Sequence, residues 1–261
     1  MRLDGARVVV TGASRGLGLA LTERLAHRGA RLALVARSKD RLAELAAQHG
    51  GDAYPADLAD VDGIEGLVHR IASDGPVDVL INNAGVDLTG SLTDLAPDRI
   101  GELITVNLLA PMLLTRAVIP MMRAQGRGHV VNVSSLSGTN AVPGLAPYST
   151  SKAGLSHFTA SLRAELKGTP ITTTLAEIGP VESTMMDSLR GYPPTRRALA
   201  RLERLHLAVD LRMDTVADAL VTAIEHGRRH LRRPRRDALF PALSEAPRRI
   251  TEWLLTGVDA Q

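Results

Sequence analysis

Short, mainly apolar runs alternate along this chain with longer stretches whose apolar residues return every three or four positions. The runs lie at residues 6–10, 32–35, 52–56, 77–81, 130–133 and 171–178, and each has the length of a strand. After the first run Leu17, Leu21 and Leu25 share one helical face. Leu42, Leu45 and Ala46 do so after the second, and Ile64, Leu67, Val68 and Ile71 after the third. Ser38 and Asp60 stand where N-caps belong, and Gly29 and Gly50-Gly51 where helices stop. Residues 97–123 and 149–167 predict two more helices, the first with a kink or break near Pro111. Strands alternating with helices imply βαβ units, and apolar runs without polar alternation imply strands covered on both faces. The expected fold class is α/β: a doubly wound, mostly parallel sheet of about seven strands with helices on both faces.

No internal repeat or low-complexity linker divides the 261 residues, so one domain over 1–261 is expected. Two regions depart from the rhythm. Residues 184–212 read as an insertion or substrate lid, in which Tyr192, Pro193, Leu199, Leu202 and Leu205 would form an apolar surface and favour a hydrophobic substrate. Residues 226–261 read as a basic C-terminal extension. Six of the nine residues from Arg228 to Arg236 are arginine, and the expectation is a solvated basic face. An anionic membrane surface, a phosphate-bearing thioester or an acidic protein are the alternative uses of that run. Ile250, Trp253, Leu254 and Leu255 suggest a closing amphipathic helix. His226 and His230 are four apart with no third ligand in view, so exposed histidines rather than a metal site are expected there.

Composition narrows the chemistry. The absence of cysteine excludes disulfides, thiolate metal sites and cysteine nucleophiles, and fits a reducing, cytoplasmic setting. No signal-peptide pattern opens the sequence, and the longest apolar candidate for a membrane span, residues 108–122, is interrupted by Pro111, Arg116 and Pro120. A net charge of +3 bears on solubility more than on partners, and no nucleic-acid partner is expected.

Two patterns carry chemistry. Residues 11–18, Thr-Gly-Ala-Ser-Arg-Gly-Leu-Gly, join the first strand to the first helix. Glycines there permit close approach of a pyrophosphate to the backbone, and the helix N-terminus adds unpaired N–H groups and partial positive charge. Tyr148 and Lys152 are four apart, a spacing that on a helix places both side chains on one face. An ammonium beside a phenol favours the phenolate, so Lys152 is expected to lower the Tyr148 pKa and make it a proton donor and acceptor. Lysine occurs only at 39, 152 and 167 in a chain that otherwise uses arginine, which cannot readily shed a proton.

The glycine spacing, with Asn82-Asn83-Ala84-Gly85 after the fourth strand and the Tyr148/Lys152 pair, resembles the short-chain dehydrogenase/reductase family over roughly residues 5–185. The resemblance implies a Rossmann-like fold and hydride transfer between a nicotinamide cofactor and a carbonyl or secondary alcohol. It implies a catalytic set of Asn107, Ser135, Tyr148 and Lys152, and its spacing selects Ser135 over Ser134 and Ser137. There Lys152 also binds the nicotinamide ribose, and Asn107 helps hold a water linked to the lysine. It implies cofactor contacts from Gly12, Ser14, Arg15, Gly16, Leu17 and Gly18, then from Asp57, Leu58, Asn83, Ala84 and Gly85. Residues 178–183 resemble the segment that meets the nicotinamide carboxamide, with Ile178 and Ser183 replacing the usual proline and threonine, and give Gly179, Val181 and Ser183.

The second strand ends Val35-Ala36-Arg37-Ser38 with no carboxylate to hold a ribose 2′-hydroxyl. Arg37 and Arg15 suit a 2′-phosphate, so NADP(H) is favoured over NAD(H). The expected partner is a small carbonyl or alcohol substrate, hydrophobic or lipid-like, and the family implies a homodimer or homotetramer. The rival reading is a non-catalytic NADP(H)-sensing or scaffold protein on the same fold.

Overall fold

The structure, a computed structural model, describes residues 1–205 and 209–234. Their elements run β1 (Arg7–Thr11), α1 (Gly16–His27), β2 (Arg31–Ala36), α2 (Lys39–His49), β3 (Asp52–Pro55), α3 (Gly63–Ser73) and β4 (Val79–Asn82). There follow α4 (Pro97–Ile104), a π turn (Thr105–Leu109), α5 (Ala110–Ala124), β5 (Gly128–Ser135), α6 (Ala146–Glu165) and β6 (Ile171–Ile178). The described chain ends with α7 (Thr184–Gly191), α8 (Pro193–Arg204), α9 (Met213–Glu225) and β7 (His230–Arg233).

The seven strands form one all-parallel sheet in the order β3-β2-β1-β4-β5-β6-β7. Because successive side chains on a strand point to opposite faces, Val8 and Val10 face α1 and α9 while Val9 faces α3 and α5. Each face is thereby covered, as the continuous apolar runs predict. The strand order reverses at β1, which lies between β2 and β4. A crevice opens at such a switch point beyond the carboxyl ends of the strands, and it is here that the glycine-rich turn and the Asn-Asn-Ala-Gly segment meet.

Three expectations need correction. The helix of residues 97–123 does not break at Pro111. It runs continuously from Pro97 to Ala124, and Pro111 sits in the first turn of α5 just beyond the π turn. There the Ala110 amide bonds the Thr105 carbonyl five residues back, a shift that accommodates a residue with no N–H to give. The joined helix is long and apolar enough to cross a membrane by length and composition. Its apolarity has a use inside the protein, since Ala110, Leu114, Val118 and Met122 pack against β4 and β5. Helix α6 begins at Ala146 rather than 149, because Pro147 is tolerated in a first turn, and this brings Tyr148 into the helix. Finally, the arginine run is not only a solvated face. His230–Arg233 is β7, paired with β6, with Leu231 buried and His230 half-buried beside Arg163. The residues proposed for a closing amphipathic helix, Ile250 to Leu255, and the end of the arginine run at 235–236 lie outside the described residues.

The segment 184–205 folds as α7 and α8 over the loop that precedes α6. Leu145, Met186, Leu189 and Leu199 form a small core of their own with Val142. Buried Thr195 donates to the Pro143 carbonyl at 2.7 Å, and Arg190 ties α7 to Glu203 and Asp210.

Candidate active site

A cavity of about 700 Å³ opens at the switch point and extends under α7 and α8. At one end the glycine turn is shaped by contact with the β4 loop. A Cβ on Gly12 would stand 2.9 Å from Ala84 Cα, and one on Gly18 only 2.0 Å from the Gly12 carbonyl oxygen. Larger residues at either position would push the turn off β4. Gly18 therefore acts behind the wall, whereas Gly12, Ser14, Arg15, Gly16 and Leu17 line the cavity. No side chain caps α1 and its first turn holds no acidic residue, so its leading amides and partial positive charge stay available to an anion.

Thr11 stitches β1 to the β4 loop. Its hydroxyl accepts from the Asn83 and Ala84 amides at 3.0 Å each, while Asn83 Nδ2 donates to the Thr11 carbonyl at 2.9 Å. Asn83, Ala84 and Gly85 are thus held along the cavity wall. Arg37, Asp57 and Leu58 line the far end with Ser38, and Asp57 also closes its own turn by accepting from the Ala59 amide. Gly179, Val181 and Ser183 line the opposite end, but the Ser183 hydroxyl is engaged locally, donating to the Val181 carbonyl and accepting from the Met186 amide as the cap of α7.

Asn107, Ser135, Tyr148 and Lys152 converge in the middle. Lys152 Nζ donates to the Val133 carbonyl at 3.0 Å and lies 5.8 Å from the centre of the Tyr148 ring. Ser135 Oγ accepts from both the Ser137 amide and the Ser137 hydroxyl, so its own proton is left to donate. It lies near enough to the Tyr148 phenol to favour its ionised form. Ser134, by contrast, is turned into the packing of β5 on α6, where its hydroxyl meets the Lys152 carbonyl and Ser156. Asn107 is fully buried in the π turn and does not line the cavity. It grips the strand of chain behind the wall: Oδ1 accepts from the Val86 amide at 2.8 Å, and Nδ2 donates to the Val86 carbonyl at 2.9 Å and to Ser151 Oγ at 3.2 Å.

Burial dominates the electrostatics. It raises the Tyr148 pKa to about 12, with the Ser135 hydroxyl opposing the rise and Asp87 adding to it. It lowers Lys152 to about 8. The expectation that Lys152 lowers the phenol is therefore corrected. In this structure the cost of burying a phenolate governs the Tyr148 pKa, with no lowering by Lys152, and Tyr148 is a protonated donor at neutral pH.

The sequence reading missed much of the remaining wall. Val86, Asp87, Ser137, Asn140, Val142 and Leu145 line the cavity, and Met185, Met186 and Leu189 roof it from α7. Of the expected lid residues, Leu199 and Leu202 line it, whereas Tyr192 packs its ring over Gly144 and Leu205 is exposed. The i, i+3 spacing of Leu199 and Leu202 was the available signal; Asp87 and Asn140 had none.

The family model described as short chain dehydrogenase matches residues 6–192. The ketoacyl reductase HetN of Nostoc sp. is 39% identical over 191 residues, which cover 70% of this chain and 66% of that protein. The chain spans less than two thirds of the length of such relatives, 62% to 66% for three of them. Among solved structures, a metagenomic short-chain oxidoreductase in complex with NADP is 32% identical with a TM-score of 0.70, over 86% of this chain and 92% of that one. A variant of the actinorhodin polyketide ketoreductase with NADPH is 31% identical with a TM-score of 0.79, over 88% and 96%.

Proposed function

Because the chain belongs to the short-chain dehydrogenase/reductase family, we propose that it is an NADP(H)-dependent reductase of hydrophobic ketones or aldehydes. The observation that carries the reading is the meeting of Ser135, Tyr148 and Lys152 on one cavity wall, with Lys152 Nζ 5.8 Å from the centre of the Tyr148 ring. A dinucleotide would lie from Arg37 to Gly179, its phosphates at the uncapped start of α1, and Arg15 and Arg37 would hold a 2′-phosphate. Bound there, the nicotinamide would supply hydride to a carbonyl carbon. Tyr148, kept protonated by burial, gives its proton to the carbonyl oxygen as charge develops there. The Ser135 hydroxyl donates to the same oxygen and stabilises that charge. Lys152, with a pKa near 8, is close enough to neutral pH to return a proton to Tyr148, and Asn107 fixes the wall beside it.

The reading favours reduction because the resting phenol carries the proton that reduction consumes. It favours an apolar substrate because Val142, Leu145, Met186, Leu189 and Leu199 surround the space beyond Tyr148. A homodimer or homotetramer would form through the exposed face of Pro97–Ala124, where Leu109 and Met112 are more than a third exposed.

The test is NADPH consumption with a panel of apolar ketones and aldehydes, run beside NADH. The expected result is turnover with NADPH at least about tenfold more efficient, falling toward parity in Arg37→Ala as a charge-assisted phosphate contact is lost. Tight NADPH binding with no consumption across the panel would support the non-catalytic alternative instead.

A further inference from the structure

Asp87 is a carboxylate that the proposed chemistry does not use. It lines the same cavity as Tyr148 and the apolar roof, and is half-buried. Its carboxylate has no hydrogen bond or ion pair among the described residues. Its position is nonetheless fixed, because the preceding residue, Val86, has both backbone polar groups held by the buried Asn107 side chain. A Cβ on Gly85, two residues earlier, would stand 3.6 Å from Lys152 Nζ, so this short stretch runs directly past the reacting groups. The field of Asp87 reaches the Tyr148 hydroxyl, where it disfavours negative charge.

The other charges along the wall divide by place. Arg15, Arg37 and Asp57 lie at the far end, with the glycine turn and the end of β2. Near Tyr148 the charged side chains are Lys152 and Asp87. Lys152 alone would make this end of the chamber attractive to a substrate carboxylate. Asp87 cancels that attraction, and the apolar roof gives a carboxylate no compensating donor.

Resting on the reductase reading above, we propose that Asp87 is a specificity-determining residue that excludes carbonyl substrates bearing a carboxylate near the reacting carbon. The substrates admitted are neutral there: plain ketones, esters, thioesters or amides rather than free keto acids. An anion a few ångströms from another in a partly desolvated cleft is disfavoured by an amount worth about a factor of ten or more in binding. Charge is the operative property, so a shorter or longer acid at this position preserves the selection and a neutral isostere relaxes it.

Matched pairs measure this: ethyl acetoacetate against acetoacetate, and methyl 4-acetylbenzoate against 4-acetylbenzoate, each with saturating NADPH. The readout is the ratio of kcat/KM for ester over acid within each pair. The wild-type protein is expected to favour the ester by at least about tenfold. Asp87→Asn should lower that ratio at least about fivefold, whatever it does to either substrate alone, and Asp87→Glu should keep it within about twofold. A wild-type ratio near one, an unchanged ratio in Asp87→Asn, or equal shifts in Asp87→Asn and Asp87→Glu would each overturn the assignment while leaving the reductase reading intact. Absence of NADPH consumption with all four compounds and with the broader ketone panel would instead remove the reductase reading, and this inference with it.

Discussion

The two walls of the cavity are held in different ways. The floor is fixed by buried and part-buried hydrogen bonds: Asn107 on Val86, Thr11 on Asn83 and Ala84, and Asn82 on Asn132, which in turn meets Thr159. The roof, α7 and α8, is held by four apolar side chains, one buried threonine and an arginine about one-third exposed between two carboxylates. Directional bonds define atom positions to within tenths of an ångström, whereas apolar contacts fill space and tolerate change of shape. The contrast suits a site in which proton transfer needs fixed geometry and substrate choice needs adaptable volume.

Substitutions on the floor should strike rate and stability together. Asn107→Ala removes three hydrogen bonds, one buried and two part-buried, and strands the Val86 amide and carbonyl. It should cost roughly 3 kcal/mol in urea unfolding and lower kcat by about a hundredfold. An intact kcat in a folded Asn107→Ala protein would break the contrast at its strongest point.

The base of the same sheet offers a pH handle. His129 sits between the Thr172 and Thr174 hydroxyls, and burial lowers its pKa to about 4. Since the folded state favours the neutral ring, its contribution is fully present above the unfolded pKa near 6.5 and is lost as pH falls toward 4. A shift of this size corresponds to roughly 3 kcal/mol. Urea midpoints measured from pH 7 to 4 should fall accordingly, and the His129→Gln variant should show a shallower pH slope.

On the roof the effects should separate. Leu199→Ala opens the small core beneath α8, and KM for an apolar ketone should rise about tenfold with kcat nearly unchanged. Equal losses in kcat would mean that the roof also sets the reacting geometry. The smallest effect is expected from Arg190→Ala. Its ion pairs with Glu203 and Asp210 are about one-third exposed, so their loss should change stability by under about 1 kcal/mol and kcat/KM by less than about threefold.

The same contrast explains what could be read from the sequence. The floor was legible because its work demands particular residue types at fixed intervals: glycines where Cβ atoms would collide, and a lysine one helical turn from a tyrosine. The alternation of apolar runs gave the parallel sheet for a similar reason, since strands covered on both faces lack the in-and-out polar alternation of a half-exposed strand. The roof was legible only as an apolar helix, because many sequences fill a space equally well. Asp87 carried no signal, since its place depends on a contact between Val86 and Asn107, 21 residues apart. The continuity of the helix through Pro111 was hidden too, because a π turn is a response to packing that local propensity does not encode. β7 was obscured by its arginines, whose charge masks the single buried Leu231 that seats the strand.

The central claim is that the Tyr148 hydroxyl delivers the proton on which carbonyl reduction depends. The direct measurement is single-turnover oxidation of bound NADPH by an apolar ketone in the wild-type protein and in Tyr148→Phe, with NADPH affinity determined in parallel. The predicted result is a rate at least about a thousandfold lower in the variant with NADPH affinity within about threefold. A Tyr148→Phe protein that binds NADPH normally and reduces the ketone at the wild-type rate would contradict it.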